Sequence, residues 1–410
     1  MKLSKIALRN IRRNTKRSIL SATAITVATM AIVFMFALIN GMILDMQWNI
    51  TSYITGEIRL HNREYDKNEM VNPVFLNIRN AEEKIEKINS LPDTTIAVPR
   101  IPFYAVVYKN DKSFNIKGVG LDFEKEREFQ DLEKYIKKGS IPGKGSSGIV
   151  IGYKLAEKMG LGIGDKFTVL TTTVYRGSNA MTFEVAGIAS FGIGGLNGST
   201  FYASLPRVQK LLKSDNAVTE ILVKVADKTN LKSTVGEISA ILKQMGDDST
   251  NVKAYTSLDT TLSLMSIAQF AYDIIALIFF ILASTVIVNT TMMVIFERMK
   301  EIGTISAMGM TGGQIQRLFF LEAFFIGILG ALAGVIIGVG ITLPLSRTGI
   351  DFGAAMEGVD FEISDIIRPV LNIKSTIGVF IYSVIISSLA TIFPARKAAH
   401  VEPVEALKSI

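Results

Sequence analysis

Residues 274–296 read IIALIFFILASTVIVNTTMMVIF, and none of the 23 carries a charge. At ~1.5 Å per helical residue, about 20 residues cross the ~30 Å hydrocarbon core of a bilayer. Buried helices of soluble proteins seldom run past about 15 residues without a charge. Three further stretches share the property: Ile19–Ile43, Ala323–Ser346 and Ser375–Ala395. The expected fold is therefore a membrane protein with four transmembrane α-helices in a 1+3 arrangement. A large α/β extracytoplasmic domain is inserted between spans one and two. A mean hydropathy of +0.35 fits such apolar segments diluted by ordinary globular sequence.

The net charge of +7 would suit a nucleic-acid partner, but its distribution argues against one. Residues 1–17 hold Lys2, Lys5, Arg9, Arg12, Arg13, Lys16 and Arg17 with no acid. Arg298, Lys300, Arg317, Arg396, Lys397 and Lys408 flank the other ends expected inside. This is the positive-inside pattern, and it predicts both termini in the cytoplasm. Leu3, Ile6, Ala7, Ile11 and Thr15 beside a cationic face suggest an amphipathic helix against anionic membrane lipids. With no cysteine and only His61 and His400, thiol chemistry and a histidine metal site are set aside. No serine sits in a recognisable nucleophile setting, while Asp/Glu chemistry stays open.

The expected organisation starts with a cytoplasmic basic helix at 1–17, span one at 18–44 and an extracytoplasmic α/β domain at 45–265. Span two at 266–296, a cytoplasmic link at 297–317 and span three at 318–346 follow. An outer loop at 347–374, span four at 375–395 and a cytoplasmic tail at 396–410 complete it. The inserted region, about 220 residues, can hold its own core, expected as two subdomains. Helices are predicted at Ala81–Leu91, Tyr153–Met159, Leu205–Lys213 and Lys232–Gln244. Alternation of apolar residues predicts strands at Ile101–Val107, Phe114–Val119, Lys166–Thr171, Thr182–Ile188 and Glu220–Val225, the first two joined by a turn at Asn110-Asp111.

Span three repeats small residues every four positions, Gly330, Gly334 and Gly338, a face that lets another helix come close in lipid. Asn289 within span two can hydrogen-bond across helices. The link Glu297–Gly309, ERMKEIGTISAMG, places Glu297, Arg298, Lys300 and Glu301 at the membrane boundary, then an apolar run. Gly309 can end its helix, and Thr311 with Gln314 has capping-box spacing for the next. Such a short helix across the inner face suits docking into a groove on a cytoplasmic partner.

Glu297-Arg298-x-x-Glu301-Ile302-Gly303 followed by Ala307-x-Gly309 resembles the coupling-helix region of ABC transporter permeases of the MacB/FtsX/Lol class. Ala7-Leu8-Arg9-Asn10 with its basic run resembles that family's opening helix. Ile149-Val150-Ile151-Gly152, Leu155-Ala156 and Gly160-Leu161-x-x-Gly164-Asp165 resemble a segment of its outer domain. Pro394-Ala395-x-x-Ala398 and Pro403-x-x-Ala406-Leu407 resemble its tail.

The resemblance implies a mechanotransmission permease of a bacterial inner membrane. Two permease chains, identical or homologous, would pair with a cytoplasmic ABC ATPase dimer. That ATPase would bind ATP and Mg, and this chain would hold no cofactor. The coupling residues implied are Glu297, Arg298, Glu301, Ile302, Gly303, Ala307 and Gly309. Release of lipoproteins is the first choice of cargo, with peptide or antibiotic export the alternative within the family. The family's division-associated regulator is ranked low, because its outer domain is usually smaller. A lipid-modified cargo would need an apolar cavity, for which Phe34, Leu38, Met42, Met46, Met265, Ile267 and Phe270 are candidates. Family members that recruit a soluble carrier have a long, proline-bounded hairpin, whereas Thr171–Ala180 is short and lacks proline. Arg176 at its tip is read as a solvated turn residue.

Two further segments mimic nucleotide sites. Met310–Arg317, MTGGQIQR, looks like an ABC ATPase signature, but it would need a P-loop, and Gly143-Lys144-Gly145-Ser146-Ser147 departs from that pattern. The run from Gly192 to Gly198 is read as a flexible loop. A receptor or scaffold that works without an ATPase is the alternative from a different class.

Overall fold

The computed structural model describes residues 2–68, 73–109, 112–192, 194–352, 366–392 and 395–396. They form two compact units, one running through residues 45–266, the other holding 2–44, 267–351 and the described residues from 366 onward. The chain opens with α1 (Lys2–Arg13) and α2 (Thr15–Asn49). A buried π-helical turn, Ile50–Thr55, follows. The inserted unit then runs β1 (Ile58–Asn62), α3 (Tyr65–Asn68), α4 (Ala81–Asn89), β2 (Thr94–Lys109), β3 (Lys112–Leu121) and α5 (Phe123–Gln130). Next come β4 (Ile136–Gly139), β5 (Gly148–Gly152), α6 (Tyr153–Met159), β6 (Lys166–Thr172), β7 (Ser178–Ala189) and α7 (Gly194–Ser199). It closes with β8 (Thr200–Ser204), α8 (Leu205–Leu212), β9 (Glu220–Val225), α9 (Leu231–Gln244) and β10 (Thr250–Ala254).

Strand β2 is 16 residues long, and its length organises this unit. Along one edge, Thr94–Arg100 pairs with β9, which leads on to β1 and β10. Farther along that edge, Ala105–Val107 pairs with β6, while β3 covers the opposite edge. β6 pairs with β7, β7 with β5, β5 with β8 and β8 with β3, so six strands close into a ring. Burial alternates along β6 and the second half of β7, as a barrel wall with one wet face requires. Phe201 fills the interior, with the rings of Phe103, Phe167 and Phe183 at 5.9, 6.1 and 5.9 Å. Gly118 leaves room for them, since a Cβ there would lie 2.7 Å from Phe201.

β2 belongs to both the ring and the open sheet and joins them within one compact unit, the region expected as two subdomains. The loop expected at Gly192–Gly198 is corrected: residues 194–199 form a helix. Its buried Asn197 pairs with both backbone groups of Phe191, accepting at 2.8 Å and donating at 2.9 Å. The turn expected at Asn110-Asp111 lies outside the described residues.

Beneath the π-helical turn lies a buried ion pair. Arg100 donates to both Glu126 oxygens, at 2.6 and 2.9 Å, and Gln130 donates to the same carboxylate at 2.7 Å. The remaining guanidinium donors reach the carbonyls of Tyr53 and Ser52 at 2.7 and 3.0 Å. Arg100 is 2% exposed and Glu126 0%, so each charge depends on the other for solvation. Tyr53 also sits in an aromatic group with Trp48, Tyr135 and Phe191 at 5.8–6.1 Å.

The helical unit continues with α10 (Asp259–Glu297), α11 (Met299–Ala307), α12 (Gly312–Thr348) and α13 (Ile373–Leu389). Among the described residues three helices, Ser18–Thr55, Met265–Thr290 and Gly312–Thr348, are long and apolar enough to cross a membrane. Helix α13 has 17 residues, ~25 Å at 1.5 Å per residue. Of the loop expected at 347–374, residues 353–365 lie outside the described set, and Ile350–Asp351 pairs with Ile366–Ile367.

Helices α2 and α12 meet through the glycine face. A Cβ on Gly330 would sit 2.8 Å from the Ala22 carbonyl, and one on Gly334 2.7 Å from that of Thr26. One on Gly338 would sit 3.1 Å from Val33 Cβ. The Thr26 hydroxyl donates across to the Gly330 carbonyl at 3.0 Å. Gly327 turns to α13, where a Cβ would meet the Ser387 hydroxyl. On the other side Phe280 of α10 packs between Phe36 and Tyr382, and the Tyr382 hydroxyl donates to its carbonyl at 2.9 Å.

Gly334→Leu should therefore lower the melting temperature of the detergent-solubilised chain, at a cost of about 1–3 kcal/mol for overpacking. Gly340→Leu, which has open space at its Cβ, should leave it unchanged. Arg100→Met should cost about 3–5 kcal/mol by stranding Glu126, read as a lower melting temperature and faster proteolysis. The double change with Glu126→Met should recover most of that loss.

Candidate functional site

The link between α10 and α12 is built around one arginine. Arg298 stands between α10 and α11 with φ −99° and ψ 11°, a turn conformation that breaks the helical path. Its Nε donates to Glu301 Oε2 at 2.9 Å, and its Nη1 pairs with Glu322 on α12. The guanidinium lies 4.8 Å from the Phe319 ring centre. The second oxygen of Glu322 accepts from Asn10 Nδ2 of α1 at 2.7 Å. Glu322 is 4% exposed and Arg298 7%. Beside this node Ile302, Ile315, Phe319 and Ala395 form a small apolar cluster.

Helix α11 ends at Gly309, whose φ of +93° suits a residue without a Cβ. Thr311 N then donates to Gln314 Oε1 at 3.1 Å to start α12. Of the residues assigned to the link, Arg298, Ile302 and Gly303 are buried within this chain, and Glu301 is half-buried against Arg298. Glu297, Ala307 and Gly309 are exposed, and Thr304 joins them on the surface. Met308, which the motif skips, is 75% exposed and forms the tip. Glu322 was missed by sequence reasoning, which also gave Asn10 and Met308 no role in the link. The signal for Glu322 was a lone acid set among Phe319, Phe320, Phe324 and Phe325.

The charge-free stretch 274–296 of α10 presents Asn289 on its exposed side. Among the described residues the Asn289 side chain has no hydrogen-bond partner. In α1, Ala7 is fully buried, whereas Ile6 and Leu8 are exposed beside Lys5, Arg9, Arg12 and Arg13.

The residues expected to line a cargo cavity are dispersed. Phe34, Leu38 and Met42 of α2 are half-buried in the helical unit, while Ile267 and Phe270 of α10 are 68% and 67% exposed. Met46 and Met265 belong to the inserted unit, where Met46 is buried and Met265 packs against the main core.

The short hairpin between β6 and β7 is held down. Val174 N donates to the Leu212 carbonyl at 3.0 Å, and Asn179 Nδ2 to that of Leu211 at 2.8 Å. Arg176, expected to be solvated, is exposed at the turn with a φ of +61°, its guanidinium 5.1 Å from the Phe75 ring centre. Tyr175 beside it is 74% exposed.

The sequence pattern of the MacB-like periplasmic core domain matches residues 18–241, more than half of the chain. That of the FtsX-like permease C-terminal domain matches residues 274–403. A lipoprotein-releasing system transmembrane protein, LolC, of Xylella fastidiosa is 25% identical over 70% of this chain and 72% of its own length. The LolC of Haemophilus influenzae is 23% identical over 95% of this chain and 92% of its own. An uncharacterized ABC transporter permease of Methanocaldococcus jannaschii is 24% identical over 75% and 70%. The chain therefore belongs to the MacB/FtsX family of ABC transporter permeases, as a membrane protein carrying a MacB-like extracytoplasmic domain.

Proposed function

We propose that this chain is the transmembrane subunit of an ATP-driven mechanotransmission transporter, with four spans and both termini in the cytoplasm. The observation that carries this reading is the shape of the link. The link commits Arg298 and Glu301 to each other and to Glu322 within this chain, and offers Met308, flanked by Ala307 and Gly309, to the outside. An exposed methionine with small neighbours suits insertion into a groove on a partner. That partner is a cytoplasmic ABC ATPase, which supplies the ATP and Mg site. A second permease chain meets α10, because an asparagine facing lipid costs free energy that a hydrogen bond from a neighbouring helix removes. The exposed apolar and basic residues of α1 rest on anionic membrane lipids.

Lipoproteins drawn from the membrane are the proposed cargo, supported by the LolC relatives, which align along most of this chain. Export of another cargo is the second reading. The docked hairpin at 173–177 favours it, since it offers no long arm with which to engage a soluble carrier.

Purification of the tagged chain in mild detergent should recover an ABC ATPase in stoichiometric amount, with lipoproteins enriched if they are cargo. A chain that purifies alone in every detergent tried would point to the receptor or scaffold class instead. Met308→Glu should reduce the recovered ATPase at least about tenfold, the loss of a hot-spot contact of about 2 kcal/mol. Its melting temperature should stay unchanged, as for most surface substitutions. The chain has no cysteine, so Asn289→Cys provides a clean oxidative crosslink. A crosslinked dimer from Asn289→Cys, and not from Leu277→Cys about 120° around the helix, is expected for two identical chains.

A further inference from the structure

We infer that Glu322 is a positioning residue that makes the link act as a lever on α12 and α1. This inference rests on the ATPase-coupling reading above.

Helix α11 is nine residues long, ~13 Å at 1.5 Å per residue, and lies between two non-helical joints. One is Arg298; the other is Gly309 at φ +93°, with open space around the position of a Cβ. A short helix between two such joints would swing when pushed at Met308, and the turns would absorb the motion. Glu322 prevents that at one end. Its carboxylate holds Arg298 through one oxygen and Asn10 through the other, so the start of α11, the third apolar helix and the N-terminal helix meet at one buried group. Glu301, one turn along α11, holds Arg298 from its other side at 2.9 Å. The tip is exposed and the base is clamped. A push at Met308 then turns α11 about the Arg298–Glu322 pair and loads α12 and α1.

The pair has properties that suit a clamp. Each ion is shielded from water, so removing one strands the other, and the pair resists opening. Arginine can bridge two carboxylates in a fixed plane, which lysine cannot. The Phe319 face under the guanidinium restricts it further.

The test uses the full chain in nanodiscs with the ATPase that co-purifies with it and MgATP. A spin label at Tyr175→Cys, an exposed position, reports the distance between the outer domains of the two permease chains with and without MgATP. Glu322→Gln should bind the ATPase at the wild-type ratio and hydrolyse ATP within twofold of wild type. Its MgATP-dependent distance change should fall at least fivefold. Should Glu322→Gln fail to accumulate, Arg298→Lys, which keeps the charge, should show the same split. Reversing the pair, Arg298→Glu with Glu322→Arg, should restore at least half of the distance change. A wild-type distance change in Glu322→Gln or Arg298→Lys with ATPase bound would overturn the inference. Loss of ATPase binding together with the distance change would overturn it too, because the node would then only hold the link folded. If the unaltered chain binds no ATPase, the underlying reading fails, and the inference falls with it.

Discussion

The helical unit depends on how closely α2 and α12 approach. Lipid removes the hydrophobic drive between helices, so association rests on van der Waals contact and interhelical hydrogen bonds. Gly330, Gly334 and Gly338 supply the first by exposing backbone, and Thr26 supplies the second. The contacts advance together, from Ala22 with Gly330 to Val33 with Gly338, so the two helices run parallel in one register. That register reaches beyond the glycines. Glu322 precedes Gly330 by two helical turns, and α1 precedes α2 by a single break, which brings Asn10 onto Glu322. A slip of α2 by one turn, ~5.4 Å, would take Asn10 away from the carboxylate. The glycine face thus decides whether α1 can join the ionic node.

Arg100–Glu126 in the inserted unit and Arg298–Glu322 in the helical unit are both buried arginine–glutamate pairs, and in each the arginine does more than balance charge. Arg100 spends its remaining donors on the carbonyls of a π-helical turn, which a regular helix would satisfy internally. Arg298 spends its donors on two carboxylates from different helices. Buried pairs of this kind add little net stability compared with apolar side chains of the same volume. They impose geometry, since an alternative arrangement would leave a charge unpaired in a dry environment. The geometry imposed here lies at helix ends, where a chain is otherwise free to fray.

The legible parts of the sequence were those with local causes. The helix at Tyr153–Met159 and the strand at Glu220–Val225 were found at their observed limits, the helix ending at Gly160 with φ +60°. The charge-free stretches located the apolar helices because hydrocarbon imposes length and polarity together. Strands β5 and β8 escaped notice because every residue in them is buried, which erases the alternation that marks a strand. The ring of six strands was illegible for another reason: it depends on β2 pairing with two partners along one edge, and no local pattern records that. The resemblance implied that Arg298 and Glu301 belong to the coupling link, without showing what they touch. Their true setting depends on Glu322, 24 residues from Arg298 along the chain, which looks like the polar end of a span until its partners are known.

A family motif is commonly taken to be the surface that meets the partner, yet much of this one is consumed internally. Arg298, Ile302 and Gly303 are buried, and Glu301 is committed to Arg298. The motif then specifies how α11 is mounted, and the tip that it mounts is set by Ala307, Met308 and Gly309. Charges on a protein surface steer encounter and reject wrong partners over distance. A tip of two small residues and a methionine cannot do that; it selects by fit at short range. On the proposed reading, choice of ATPase would rest on the shape of its groove and the reach of one flexible side chain. The ionic chemistry of the link serves to hold that side chain in place.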